Sequence, residues 1–237
     1  MQQPISSIRN QLGRIQDKLR EGREHLVLKL IIRAYRKMCE EQRYPLKRDE
    51  EWFSAVLENC IEDCCQEYSK ETGHLWDVVR EYYNDNEQIR MGRANPRRVP
   101  RIDILISYWK GIGERKLKFP FECKRIADND TELIKLYVQE GLIDRYLTRK
   151  DYAAGQAWGG MIGYILQGLH DTIVFKLNQQ IDLQLCNSAD YLVIAEPIAD
   201  FEAIYKSRHQ RPNHPDPLTI THLFLPFQAR IDNDTQN

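Results

Sequence analysis

The sequence has no long apolar run: none of its hydrophobic stretches approaches the ~18 consecutive residues that a membrane-spanning helix requires. The first residues, MQQPISSIRNQ, also lack the apolar core of a secretory signal. Charge of one sign is not in excess, because 34 Lys and Arg face 35 Asp and Glu. Attraction to a polyanion would therefore have to come from local clusters. We expect a cytoplasmic protein that does not associate with membranes.

The cysteines show neither the spacing of a zinc ribbon nor that of a small disulfide scaffold. The six are Cys39, Cys60, Cys64, Cys65, Cys123 and Cys186. We predict that they are reduced core thiols. With 42% hydrophobic and 29% charged residues, the composition is that of a globular protein. A chain of 237 residues is long enough for one large domain, or for one domain with an appendage.

Residues 1–42 show the apolar spacing of helices. A seam of roughly two heptads is followed by a more apolar helical stretch to about Met38; the seam consists of Ile5, Ile8, Leu12, Ile15 and Leu19. We predict an N-terminal helical extension over 1–42, ahead of a domain over 43–237. The extension would be a helical hairpin packed on the domain, or a seam for a homodimer or a partner protein.

The domain alternates helical and strand patterns, which predicts an α/β fold. A helix is expected from Asp49 through EEWFSAVLENCIEDCCQEY, with Glu50 at the edge of its apolar face. Residues 75–83 are expected to form a strand, 130–147 an amphipathic helix, 151–181 one or two further helices, and 190–198 a core strand. Two strands flanking a Pro-rich loop are expected over 203–227. The Ala and Gly run at 153–163 would let a helix approach the sheet closely.

The segment RIDILISYWKGIGERKLKFPFECKRI, residues 101–126, has the pattern of a β-hairpin. A turn centred between Ile112 and Gly113 places Asp103 opposite Glu122. One face is then apolar and buried; it consists of Ile102, Ile104, Ile106, Phe119, Phe121 and Cys123. The other face carries Asp103, Glu122 and Lys124.

Opposed carboxylates disfavour each other unless a cation or a proton lies between them. Oxygen atoms from Asp103, Glu122 and the backbone carbonyl of Cys123 suit a hard divalent ion such as Mg²⁺ or Mn²⁺. Lys124 lies on the same face, with the reach to approach a metal-bound water and a phosphate. The hairpin therefore predicts a metal-dependent phosphodiesterase site.

RIDI followed by FECK resembles the Asp and Glu-x-Lys signature of the PD-(D/E)XK nuclease superfamily, whose fold is called restriction-endonuclease-like. The proline of the family's name is not adjacent to the aspartate here, since Pro100 precedes Asp103 by three residues. The resemblance implies a central mixed sheet flanked by helices, Mg²⁺ bound by Asp103 and Glu122, and Lys124 orienting or deprotonating the attacking water. It also implies a supporting ligand on the first helix, Glu50, and cleavage of DNA to a 5′-phosphate, in restriction or phage defence.

Basic residues around the hairpin are candidates for holding the DNA backbone, although a solvated charge run would look the same. They are Arg90, Arg93, Arg97, Arg98, Arg101 and Lys116, with Lys110, Arg115 and Lys118. Gln156 and His209 are candidate accessory residues, each with a structural alternative. Two other functions stay open: a catalytically inactive DNA-binding or assembly subunit, and an RNA-directed enzyme, for which the sequence shows no binding module.

Overall fold

The structure is a computed structural model that describes residues 5–43, 49–83, 101–109, 117–148, 156–185, 190–211 and 216–227, with side chains for all of these except 5–20, 81–83 and 101. Its elements in chain order are α1 (Ile5–Glu40), α2 (Glu50–Thr72), β1 (Leu75–Tyr83), β2 (Arg101–Trp109), β3 (Leu117–Ala127), α3 (Thr131–Leu136) and its continuation as the π segment (Tyr137–Thr148), β4 (Trp158–Gln167), α4 (His170–Leu185), β5 (Val193–Ile194), β6 (Ile204–His209) and β7 (Leu218–Pro226).

All seven strands in the described part of the chain belong to one mixed sheet, in the order β1-β2-β3-β4-β7-β6-β5. The strands β1, β2 and β3 form an antiparallel meander. The next strand, β4, pairs in parallel with both β3 and β7, and β6 and β5 complete the sheet in antiparallel pairing. The fold is α/β, as predicted, with four helices in the described ranges flanking the sheet.

The helices divide between the two faces of the sheet and bury one apolar cluster on each. The helices α1 and α2 supply buried residues such as Ile31 and Leu57 to the first cluster. The π segment and α4 supply Leu142 and Leu177 to the second. Each helix contributes one apolar side to a sheet that is covered on both faces, so the molecule has three layers.

The first helix differs from the hairpin expected over 1–42. It is continuous for 36 residues, Ile5–Glu40, because its sequence carries no glycine or proline pair able to reverse the chain. From Val27 to Met38 its apolar side is completely buried in the first cluster. The Tyr35 hydroxyl donates to the Pro226 carbonyl at the far end of the chain. This half of the helix is therefore part of the core, while the predicted domain boundary at 42/43 stays a prediction.

The helical prediction for 151–181 is wrong over its middle part, which is β4. The glycines there make room for rings from neighbouring strands. A Cβ on Gly160 would collide with the ring of Phe121 on β3, its partner in the pairing. Small residues spaced like a helix face thus serve a strand in the centre of the sheet. The helix expected further on is present as α4.

The prediction of a core strand over 190–198 is also wrong. The strand here is only β5, in which Val193 and Ile194 pair with β6 at the outer edge of the sheet, and both side chains are exposed. Ile198 forms an isolated bridge with Phe201. The central strand of the sheet, between β3 and β7, is β4. An apolar run of this length does not reveal whether it will be central or peripheral.

Other expectations are confirmed. Asp49 precedes α2, Leu75–Tyr83 is a strand, and β6 and β7 flank the region of the Pro-rich loop. Every cysteine that the structure describes is a free thiol, and Cys186 lies outside the described residues. None of the helices described is long and apolar enough to cross a membrane.

Candidate active site

The predicted register of β2 and β3 is confirmed. The pairing runs from Ile104 with Phe121 to Tyr108 with Leu117, and Asp103 and Glu122 occupy the next position on each strand. There the Oδ2 atom of Asp103 accepts a hydrogen bond of 2.8 Å from the backbone N–H of Cys123. The carboxyl group of Asp103 thus satisfies the backbone N–H of Cys123 just beyond the end of the pairing between β2 and β3.

The apolar face is the buried one, as predicted. Ile104, Ile106, Phe119, Phe121 and Cys123 all belong to the first cluster. One residue differs: Ile102 packs in the second cluster. The acidic face therefore looks toward the side of the sheet that carries the π segment and α4.

The Lys124 amine lies where three oxygen atoms converge. Its Nζ atom is 2.8 Å from Glu122 Oε1, 2.9 Å from Glu50 Oε1 and 3.0 Å from the carbonyl oxygen of Cys123. An ammonium group has three N–H donors, so these contacts match its capacity. Sequence periodicity placed Glu50 only at the edge of a helix face, whereas the fold brings it to the hairpin.

Glu50 reaches the site because α2 begins beside β3. Its second oxygen, Oε2, accepts from the backbone N–H of Arg125 at 3.2 Å. An acid in the first turn of a helix is also favoured by the helix dipole. Glu50 therefore joins the helix N-terminus to the strand that carries Glu122 and Lys124.

The electrostatic state of the site is set by burial and by like charges. Burial, reinforced by the negative charge of Glu122, raises the pKa of Asp103 to about 8. Burial alone would lower the pKa of Lys124, but Glu122, Glu50 and Asp103 outweigh it, so that pKa is raised. Lys124 is therefore an ammonium at neutral pH, and the surroundings of Asp103 favour its protonated form.

Glu122 has an oxygen with spare capacity. Its side chain is fully buried, and its Oε2 atom is inaccessible and accepts no hydrogen bond from any residue that the structure describes. Its other oxygen, Oε1, contacts both Lys124 and, at 3.3 Å, the Nε atom of Arg145. A buried carboxylate oxygen without a donor is costly unless a proton or a cation approaches it.

Arg145 and Gly141 are site residues that the sequence did not indicate. Both lie on the π segment, which was predicted only as part of an amphipathic helix. A Cβ on Gly141 would lie 3.4 Å from Cγ of Lys124 and 3.8 Å from Cγ of Glu122. The glycine therefore lets the π segment approach the acidic face, and Arg145 follows four residues later.

The donor set suits a hard cation that keeps several waters. Two carboxylates and a carbonyl are available from Asp103, Glu122 and Cys123, and Mg²⁺ is commonly held by one or two carboxylates with water. The unused Oε2 of Glu122 is the observation in favour of such an ion. Within the ranges that the structure describes, however, no three or more His, Cys, Asp and Glu side chains are grouped to hold a metal. In this arrangement the Lys124 ammonium lies among the oxygens.

Most of the predicted DNA-contacting residues lie outside the described residues: Arg90, Arg93, Arg97, Arg98, Lys110, Arg115 and Lys116. Arg101 begins β2, and its side chain is not described; Lys118 is half-buried on β3. Gln156 precedes β4, and its carbonyl accepts from Arg211 at 2.7 Å. It comes five residues before Met161, the partner of Glu122, about 16 Å along the strand at the usual rise. The structure does not bring Gln156 to the acidic residues.

His209 belongs to a separate buried chain of polar groups between β6, β7 and the π segment. Its Nδ1 atom lies 2.9 Å from Asp190 Oδ1, and its Nε2 atom lies 2.7 Å from the Ser207 hydroxyl. Ser207 also contacts Nε2 of His222 at 2.8 Å, and Nδ1 of His222 contacts the Tyr137 hydroxyl at 3.0 Å. All five side chains are buried. We assign this network a structural role, because the hydroxyl groups of Ser207 and Tyr137 are both buried out of reach of a substrate.

Comparison of the chain with protein-family models, with curated proteins and with solved structures finds no match.

Proposed function

We propose that this chain is a Mg²⁺- or Mn²⁺-dependent DNA endonuclease with a restriction-endonuclease-like fold. One observation carries the proposal: the Lys124 amine meets carboxylates from Glu122 and Glu50 within 3.0 Å. Lys124 thus contacts both of the acids that the sequence nominated for the same reaction, although Glu50 comes from an element far from Glu122 in the chain.

The arrangement of strands supports the fold assignment. The resemblance implies a helix, an antiparallel meander, another helix and then a strand parallel to the sheet. The described elements α2, β1, β2, β3, α3 with the π segment, and β4 follow that order, and β4 is parallel to β3. The acidic face lies on the second and third strands of the meander, where the resemblance requires it.

The chemistry divides among the residues of the acidic face. Asp103, Glu122 and the Cys123 carbonyl would hold the divalent ion, with Glu50 as a supporting acid. When bound, such an ion lowers the pKa of a water molecule and neutralises charge on the phosphate. Lys124 would turn from its carboxylate partners toward the attacking water and orient it. Asp103 would give up its proton when the ion binds, because a nearby cation favours the ionised form.

Incubation of the purified protein with supercoiled plasmid, with and without Mg²⁺, tests the proposal. We expect nicked or linear DNA only with the metal, and no cleavage by Glu122→Gln in the same preparation. The matched control is Glu132→Gln, which neutralises an exposed acid on α3 and should cleave like the parent. Equal cleavage by Glu122→Gln and the parent would overturn the assignment.

The second candidate is a metal-free DNA-binding or assembly subunit with the same fold. It is favoured by the position of the Lys124 ammonium, which already neutralises two carboxylates, and by the lack of a grouped metal-ligand set among the described residues. Calorimetry separates the two candidates. Saturable Mn²⁺ binding that Glu122→Gln abolishes supports the enzyme, whereas no Mn²⁺ binding, together with intact DNA binding, supports the subunit.

A further inference from the structure

Two cations share one oxygen of Glu122, and only one of them belongs to the predicted signature. Lys124 Nζ lies 2.8 Å from Glu122 Oε1, and Arg145 Nε lies 3.3 Å from the same atom. Among the described residues, none donates a hydrogen bond to the other oxygen, Oε2. Both cations therefore contact the same oxygen of the carboxylate, and its remaining oxygen has lone pairs that a further cation or a proton could use.

Arg145 is positioned by backbone geometry and not by a flexible loop. The π segment packs closely on the acidic face at Gly141, where a Cβ would be 2.6 Å from the Met161 Cε atom. Tyr146, the residue after Arg145, is buried, and its hydroxyl donates to the carbonyls of Gly160 and Pro120. Because its neighbour in the chain is held in the core, Arg145 has little freedom to leave the acidic face.

The guanidinium group remains partly accessible. The Arg145 side chain is 23% exposed, whereas that of Glu122 is fully buried. A guanidinium carries five N–H donors in a planar fork, so the contact through Nε is compatible with an acceptor at the other end of the fork. A phosphate oxygen is an acceptor of the kind that this fork can hold beside its other contacts.

Charge indicates which ligand this would be. Lys124 and Arg145 are the two basic side chains that contact Glu122. With a divalent cation bound, these two side chains and the cation would carry one positive charge more than the three acids of the site. A phosphodiester carries one negative charge and offers two unesterified oxygens, which match a guanidinium fork in geometry.

We propose that Arg145 is a phosphate-binding residue of this site, holding an unesterified oxygen of the phosphodiester that the site attacks. The inference rests on the proposed function and deepens it. Arg145 would stay charged at every working pH, because a guanidinium does not deprotonate in proteins. Lys124 would serve the water, and Arg145 would serve the phosphate.

The test compares Arg145→Gln and Arg145→Lys with a matched control, Lys135→Gln, which removes one positive charge from an exposed position on α3. Plasmid cleavage with Mg²⁺ gives kcat and KM. We expect Arg145→Gln to lower kcat by about 10²-fold, the usual loss for one donor to developing charge. Arg145→Lys should recover DNA binding better than kcat, because a point charge lacks the fork. Lys135→Gln should cleave like the parent.

A second measurement separates phosphate binding from a purely structural role. Anisotropy of a labelled DNA duplex is followed against salt, with Ca²⁺ replacing Mg²⁺. Arg145→Gln should reduce the log-log slope by about one unit while Mn²⁺ binding by calorimetry stays at least as tight as in the parent. Loss of Mn²⁺ binding and of thermal stability together would show instead that Arg145 only supports Glu122, and would overturn the proposal.

The two proposals can fail separately. If neither the parent nor Lys135→Gln cleaves DNA with any metal, the proposed nuclease function fails. Arg145 is then judged by the anisotropy series: a reduced salt slope keeps it as a phosphate ligand, and an unchanged slope removes it. If the parent cleaves and Arg145→Gln cleaves at the same rate with the same slope, only the inference about Arg145 is overturned.

Discussion

Glu50 Oε1 lies 2.9 Å from Lys124 Nζ, although the two residues are 74 positions apart in the chain. The contact links the first residue of α2 to the third strand of the meander. It makes Lys124 part of a largely buried network of charged groups with Glu122 and Glu50. Whether that lysine contributes to catalysis or only to folding can be decided by substitution.

We predict that Lys124→Ala retains Mn²⁺ binding and DNA binding but loses plasmid cleavage by at least the ~10²-fold typical of one positioned acid-base group. Lys124→Arg should restore little, since a guanidinium stays protonated and is a planar fork. Cleavage rates under single-turnover conditions, with calorimetry for the metal, provide the measurement. Parental rates in both variants would reduce Lys124 to a structural partner of Glu122.

Asp103→Asn should stabilise the metal-free protein at neutral pH. The folded state raises the pKa of Asp103 to about 8, above the value of the unfolded chain. Stability linked to this carboxyl group is therefore fully present below about pH 4 and is lost as the pH rises toward 8. An uncharged amide avoids that loss, so the variant's gain in urea midpoint should be larger at pH 8 than at pH 4.

Glu132→Gln, at an exposed acid, controls for the change in net charge and should leave the pH profile unchanged. Equal urea midpoints for Asp103→Asn and the parent at pH 8 would show that the ionised form of Asp103 does not destabilise the folded protein. The same variant should lose metal-dependent cleavage, since an amide is a poorer ligand for a hard cation.

The buried histidines should make the protein sensitive to acid. Burial lowers the pKa of His209 despite Asp190, and burial together with His209 lowers the pKa of His222 further. In the unfolded chain both bind protons near pH 6.5. Their contribution to stability is therefore present above pH 6.5 and is lost as the pH falls below it.

His222→Gln should flatten this decline in urea midpoints between pH 7.5 and 5.5. It should also lower stability at pH 7.5 by about 1–3 kcal/mol, because buried polar partners lose their hydrogen bonds. His25→Gln changes an exposed histidine and should leave the pH profile as in the parent. A parental profile in His222→Gln would rule out the buried network as its origin.

Gly160→Ala should destabilise the protein by about 1–3 kcal/mol, because the added Cβ would collide with the Phe121 ring in the middle of the sheet. The matched control is Gly22→Ala on α1, where no described atom outside the neighbouring helix backbone lies within 4 Å of the new Cβ. That change should stabilise the protein by up to about 1 kcal/mol through helix propensity. Thermal or urea unfolding of both variants measures the difference, and a stable Gly160→Ala would contradict the close packing of β3 on β4.

Local pattern was sufficient where the physical rule is local. Alternation of apolar and charged residues determined the two faces of β2 and β3, and a one-residue slip would have turned Asp103, Glu122 and Lys124 into the apolar cluster. The register followed from the turn position. The helix at Glu50 and the strands β6 and β7 followed from periodicity in the same way.

Tertiary structure decided what depends on neighbours distant in the chain. The glycines of β4 satisfy the spacing of a helix and of a strand equally well; the rings of Phe121 and Phe224 on the adjacent strands, which occupy the space beside Gly160 and Gly163, favour the strand. The contact of Arg145 with Glu122 required the π segment to dock at Gly141. Spacing in one segment carries no information about such docking, because the energy that selects it comes from surfaces buried between elements.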